Sequence, residues 1–141
     1  MNAMNSEQVE IVNEFVRKEP HFEFQVYSFS PRKLVIGGAW ELDYFHQIEL
    51  EFENVWFFSG CQRIDIADPQ KVALRLVTDE QEIKKMKDGF DWGANDSIFV
   101  FESSERPLIV VADKLTVREQ TVFYYKREDL KANEEVAYWL K

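Results

Sequence analysis

The alternation Ile48-Glu49-Leu50-Glu51-Phe52-Glu53 constrains this chain more than any other stretch. Successive side chains of a β-strand point to opposite faces, so a period of two demands a strand with one dry face and one acidic, solvated face. It lies inside Lys33–Phe58, an aromatic-rich segment that also carries Trp40, Tyr44, Phe45, His46 and Trp56, and that segment is expected to be the spine of the fold. Beyond Glu53 the phase changes, because Val55 and Phe57 are odd-numbered where Ile48, Leu50 and Phe52 are even. A bulge at Asn54 in one long strand is preferred over a turn, since asparagine without a following glycine is a weak hairpin signal.

The flanking chain supplies the other layers. Val9, Val12 and Val16 fall at helical spacing within Asn5–Glu19, with Asn5 and Gln8 spaced as a capping box and Pro20 as the stop. Strands are expected at His21–Ser30 and Lys33–Trp40 around the Ser30-Pro31-Arg32 turn, with Gly37 and Gly38 read as a bulge. Shorter strands follow at Gln62–Ala67 and Val72–Val77, then a helix with the capping box Thr78/Gln81 that closes at Gly89. The stretch Phe90–Ser97 reads as a loop presenting or tucking Trp92, and strands resume at Ile98–Glu102, Leu108–Ala112 with an extension to Val117, and Thr121–Lys126. Glu128–Lys141 is expected to close the chain as a helix. The connections are mostly too short for parallel crossovers, so the fold class is α+β: a bent, mainly antiparallel sheet of about seven to nine strands with N-terminal, middle and C-terminal helices, in one domain over 1–141.

Charge and composition limit function. Hydrophobic residues make up 45% and aromatic residues 15%, enough for a ring-rich core. The formal charge of -9 repels phosphate backbones and anionic lipid surfaces, so neither nucleic acid nor membrane is an expected partner, whereas a basic protein is. Cys61 is the single cysteine, so no internal disulfide forms and the cytoplasm is the expected compartment. The first twenty residues carry Glu7, Glu10, Glu14 and Glu19 and no long apolar run, so neither a signal peptide nor an anchor is expected there.

No residue set announces catalysis or a cofactor. Asp43, His46 and Glu49 are three apart, but on a continuous strand His46 points away from both carboxylates, and a metal needs three or four convergent ligands. His46 therefore reads as a half-buried structural histidine, Cys61 as a small buried hydrophobe and Glu49, Glu51 and Glu53 as a solvated face. Gly37-Gly38 has the spacing of neither a dinucleotide fingerprint nor a P-loop. A rival expectation is a small-ligand-binding protein or an enzyme, with an aromatic pocket around His46 lined by Trp40, Tyr44, Trp56 and Trp92. The candidate binding residues are Trp40, Tyr44, His46, Glu49, Glu51 and Trp92.

Phe45-His46-Gln47-Ile48-Glu49, continuing to Leu50 and Phe52 with Tyr44 before and Val55 after, resembles the Phe-His-x-x-Glu signature of a family of small immunity proteins from bacterial polymorphic toxin systems. Gln47 stands where an aspartate is common in that family, and Trp40 is farther from Phe45 than in its usual pattern. The resemblance covers roughly 40–55. It implies a non-catalytic protein that binds and neutralises a cognate toxin, and a basic toxin would be steered toward an acidic inhibitor. A copy of the same chain, paired through an exposed strand edge, is the homo-oligomeric alternative.

Overall fold

The computed structural model describes residues 3–88, 93 and 95–141. Among the described residues, ten strands form two sheets: β1 (Glu23–Ser30), β2 (Lys33–Ala39), β3 (Phe45–His46), β4 (Ile48–Ser59), β5 (Arg63–Asp65), β6 (Leu74–Leu76), β7 (Ser97–Phe101), β8 (Leu108–Arg118), β9 (Thr121–Phe123) and β10 (Glu134–Val136). The main sheet has the order β5-β1-β2-β4-β8-β7-β6 and is antiparallel throughout, and the small sheet has the order β10-β9-β3. The main sheet curls until Ile66, just past β5, bridges to Ser103, just past β7. The class is α+β, as the short connections between strands predict.

The dry face of the spine is real. Ile48, Leu50 and Phe52 are fully buried and pack with Leu34, Ile36 and Leu115 in one large core. Helix α1 (Ala3–Arg17) lays Val9, Val12 and Val16 onto it. On the other side of the β7–β8 end, α2 (Glu80–Met86) places Ile83 and Met86 against Val77, Ile98, Val100 and Val111. No helix among the described residues is long and apolar enough to cross a membrane.

Several expectations are corrected. Helix α1 starts before Asn5, so Asn5 and Gln8 do not cap it: Asn5 accepts from the Leu115 amide and donates to the Asp113 carbonyl and the Ser97 hydroxyl, and Gln8 accepts from the Val117 amide. The ladder to β7 ends at Ala112, and these amides satisfy the β8 backbone groups beyond it. Asn13 does the same for β6, accepting from the Ala73 and Leu74 amides and donating to the Leu74 carbonyl. Helix α2 is capped one residue later than expected, by Asp79 accepting from the Glu82 amide.

The C-terminal helix is absent among the described residues. Glu134–Val136 instead pairs parallel with β9, and only a 3-10 turn at Tyr138–Leu140 follows. The polar run from Lys126 to Asn133 offers no apolar stripe to hold a helix on the sheet, while the β9 edge offers ladder hydrogen bonds. The spine is one long strand beyond Gln47, and its register shift falls between Val55 and Phe57 rather than at Asn54. Asn54 nevertheless has the left-handed φ of 53° next to that shift. The Gly37-Gly38 pair is not a bulge, since both keep register with β4. They are glycines because of close approach on opposite faces: a Cβ on Gly37 would lie 2.6 Å from His46 Nδ1, and one on Gly38 would lie 2.5 Å from the Phe24 ring.

Candidate functional site: the histidine between two sheets

A break in the spine creates the site. Strand β3 is two residues long and belongs to the small sheet, whereas β4 belongs to the main one; between them the Gln47 amide donates to the Gly38 carbonyl at 2.8 Å. That kink releases His46 from the alternation that would turn it away from Glu49. His46 drops onto the bare backbone of Gly37, is 0% exposed, and meets Glu49 Oε2 through Nε2 at 2.7 Å.

The hydrogen bonds run in one direction in the tautomer of His46 protonated on Nε2. Gln25 can donate only through its amide nitrogen, which reaches the Tyr124 hydroxyl at 3.2 Å. Tyr124 then donates to His46 Nδ1 at 2.6 Å, His46 donates from Nε2 to Glu49, and Arg118 donates to the other oxygen of Glu49 at 3.0 Å. In that tautomer both ring nitrogens of His46 and both carboxylate oxygens of Glu49 have partners. Burial pushes the Tyr124 phenol well above its ordinary range despite the Gln25 hydrogen bond, so Tyr124 keeps its proton and serves as donor. Rings close the site: Tyr27 packs edge-on against His46 at 4.8 Å, and Trp139 covers Tyr124 at 5.3 Å.

Glu49 is thus not part of a solvated face. It is 4% exposed, since it lies between Gly37 on β2 and Arg118 on β8. Glu51 is held by Lys33 at 2.9 Å and lies 3.9 Å from Arg118, and Glu53 lies 3.9 Å from Lys114. The expected acidic surface is therefore largely neutralised by cations that come from other strands. Asp43 does not join His46 and Glu49; it is at the surface, in an ion pair with Arg63 at 3.0 Å.

The remaining candidates scatter. Trp40 and Tyr44 are exposed in the connection 40–44 between β2 and β3. Trp56 is exposed near the far end of β4, about 26 Å along the strand from Ile48 at the usual rise per residue, so the rings do not converge on His46. Trp92 lies outside the described residues, as does half of the loop 90–97 assigned to it. Cys61 is exposed, not buried; Ser59-Gly60 ends β4 and leaves it on the rim of an open cavity of about 540 Å³. Glu23, Asp43, Arg63, Asp65 and Arg106 also line that cavity.

Among the described residues, His21, Glu23 and Asp65 offer ligand atoms within 4.8 Å of one another. Both oxygens of Glu23 already accept from Arg63 at 3.1 Å, and that guanidinium opposes a second cation. Sequence reasoning missed Tyr124, Gln25, Gly37 and Arg118, which come from four different strands or their ends; Gly37 was singled out, but for another role. No family model, curated protein or solved structure matches the chain.

Proposed function

We propose that this protein is a non-catalytic cytoplasmic binding protein that docks on a basic protein partner and neutralises it, in the manner of the immunity proteins that its Phe45–Glu49 segment resembles. One observation carries the reading: the histidine of that segment is sealed, with both ring nitrogens engaged by protein groups and no face open to a substrate. A general base must reach the proton it abstracts, and this one holds two sheets together instead. Meanwhile Trp40, Tyr44, Trp56, Tyr138 and Trp139 are exposed. Large aromatic side chains are costly on a free surface and are the usual anchors of protein interfaces. The formal charge of -9 favours a basic partner through faster encounter.

The test is binding of the purified protein to the products of the genes adjacent to its own. The expected result is a stable complex with one of them, whose association rate falls steeply as salt is added and whose partner loses its activity. Absence of a complex with every neighbouring product at low salt rejects the reading.

A further inference from the structure

The small sheet has two unlike faces. His46 and Val122 point to the main sheet, so Phe45 and Phe123, their neighbours on β3 and β9, lie on the opposite face, where Phe45 is half-buried and Phe123 is buried with Arg127 over its ring. On that outer face Trp40, Phe45, Phe123 and Tyr125 form an unbroken row, with successive ring centroids 6.0, 6.4 and 5.5 Å apart. One guanidinium already uses it: Arg127 sits 4.3 Å over the Phe123 ring and 6.0 Å from Tyr125. The other end of the row is open. Trp40 is 47% exposed and Tyr44 60%, and the connection that bears them also carries Glu41 and Asp43.

Rings beside carboxylates form a seat for a guanidinium, because the π-face and the carboxylate attract the same planar cation. The charge around this end has the matching sign. The cavity that Asp43 lines carries Glu23, Asp43, Asp65 and Glu105 against Arg63 and Arg106; Glu23 and Asp43 already hold Arg63, which leaves Glu41 as the carboxylate of the connection without an ion pair among the described residues. We infer that the Trp40 end of this row, together with the connection 40–44, is the docking surface for a basic protein segment and takes that partner's arginine side chains on Trp40 and Tyr44. This rests on the binding function proposed above and assigns its surface. Arg127 shows the mode of contact within the chain itself.

The probe is N-acetyl-arginine amide, titrated into protein labelled with nitrogen-15 at tryptophan, with the indole resonances followed separately and assigned by single Trp→Phe variants. The Trp40 indole is expected to move while that of Trp56, exposed elsewhere, does not, and the double change Glu41→Gln/Asp43→Asn should weaken the response about two- to fivefold. Indoles that stay still or all move together overturn the inference. A Trp40 resonance that moves when the protein alone is concentrated overturns it too, because a second copy then covers the row. The two proposals fail separately. A neighbour-encoded partner that binds Trp40→Ala as tightly as the parent removes this surface and leaves the function, whereas a Trp40 response without any such partner removes the function and leaves the arginine seat.

Discussion

Replacing Gly37 by alanine tests whether the sealed histidine holds the two sheets together. The backbone at Gly37 is ordinary strand, so alanine there carries no conformational strain and would by itself be mildly favourable. The cost is steric. The added Cβ would lie 2.6 Å from Nδ1, 2.7 Å from Cγ and 3.2 Å from Cβ of His46, at the root of a ring pinned at both nitrogens. Moving that ring stretches its hydrogen bonds to Tyr124 and Glu49. Overpacking costs about 1–3 kcal/mol and a weakened hydrogen bond to a buried carboxylate about as much again, so a loss of about 3 kcal/mol is expected. For a chain of 141 residues that is a fall in melting temperature of about 10 °C. The decisive measurement is the double-mutant cycle with His46→Ala, by urea unfolding in a stabilising osmolyte that keeps all four proteins folded. His46→Ala should itself cost about 2–4 kcal/mol, because the ring leaves a cavity and buried Glu49 loses one of its two partners. With the ring gone, Gly37→Ala should cost less than about 0.5 kcal/mol or become stabilising. An equal cost in both backgrounds would refute the argument, since the Cβ would then be meeting something other than His46.

Tyr124→Phe removes the donor to His46 Nδ1 and should lower the unfolding free energy by about 1–2 kcal/mol at neutral pH. The wild-type phenol has a folded-state pKa raised by burial, so the folded state binds the proton more tightly: this contribution is intact below the ordinary tyrosine range and is lost as the pH climbs through the folded value. Burial raises Tyr27 as well, so ultraviolet absorbance should show a late-ionising component that loses Tyr124's share in Tyr124→Phe, and a titration identical to the parent's would count against the assignment. Asn13→Ala leaves the Ala73 and Leu74 amides and the Leu74 carbonyl without their partner and should cost about 2–4 kcal/mol, measured by urea denaturation. Native-state hydrogen exchange should then show β6 opening before β4, and uniform destabilisation would indicate that Asn13 does not tie α1 to that edge.

Periodicity exposed the parts of this fold whose burial is settled within one segment. Val9, Val12 and Val16 on α1, and Ile48, Leu50 and Phe52 on β4, could be read directly, because a single element must put its apolar residues on one side. What stayed hidden was set between segments. Glu49 looks solvated in its own strand and is buried only because Arg118 arrives opposite it on β8 and Gly37 leaves a hollow on β2. Asn5 has the type and spacing of a cap, yet its amide answers backbone groups more than ninety residues away. The Glu134–Val136 segment has no strand pattern of its own, and the free edge of β9 supplies the ladder that it joins. One signal was available and undervalued. Two adjacent glycines in a strand point to opposite faces, so Gly37 and Gly38 announce a close neighbour on each side, here His46 and the Phe22–Phe24 pair.

That pairing of faces also links the buried histidine to the exposed row of rings. Phe45 and His46 are the whole of β3, so whatever fixes His46 fixes Phe45, and through it the seat of Trp40. The tie is short and stiff: His46 is anchored on the main sheet through Glu49 and Gly37, and on the β9 side through Tyr124, whose own amide donates to the Tyr44 carbonyl at 2.8 Å. A binding surface made of preset rings loses less side-chain and backbone freedom on association than one that must order itself, and that difference appears as affinity. Under the docking proposal, the His46–Glu49 pair would contribute to recognition without touching the partner. Gly37→Ala, which meets His46 and not the rings of the row, should therefore broaden the Trp40 indole resonance and slow or weaken the proposed docking even under conditions where the protein remains fully folded. A sharp, unshifted Trp40 indole in that variant would separate the two halves of β3 and reduce the histidine to a matter of stability alone.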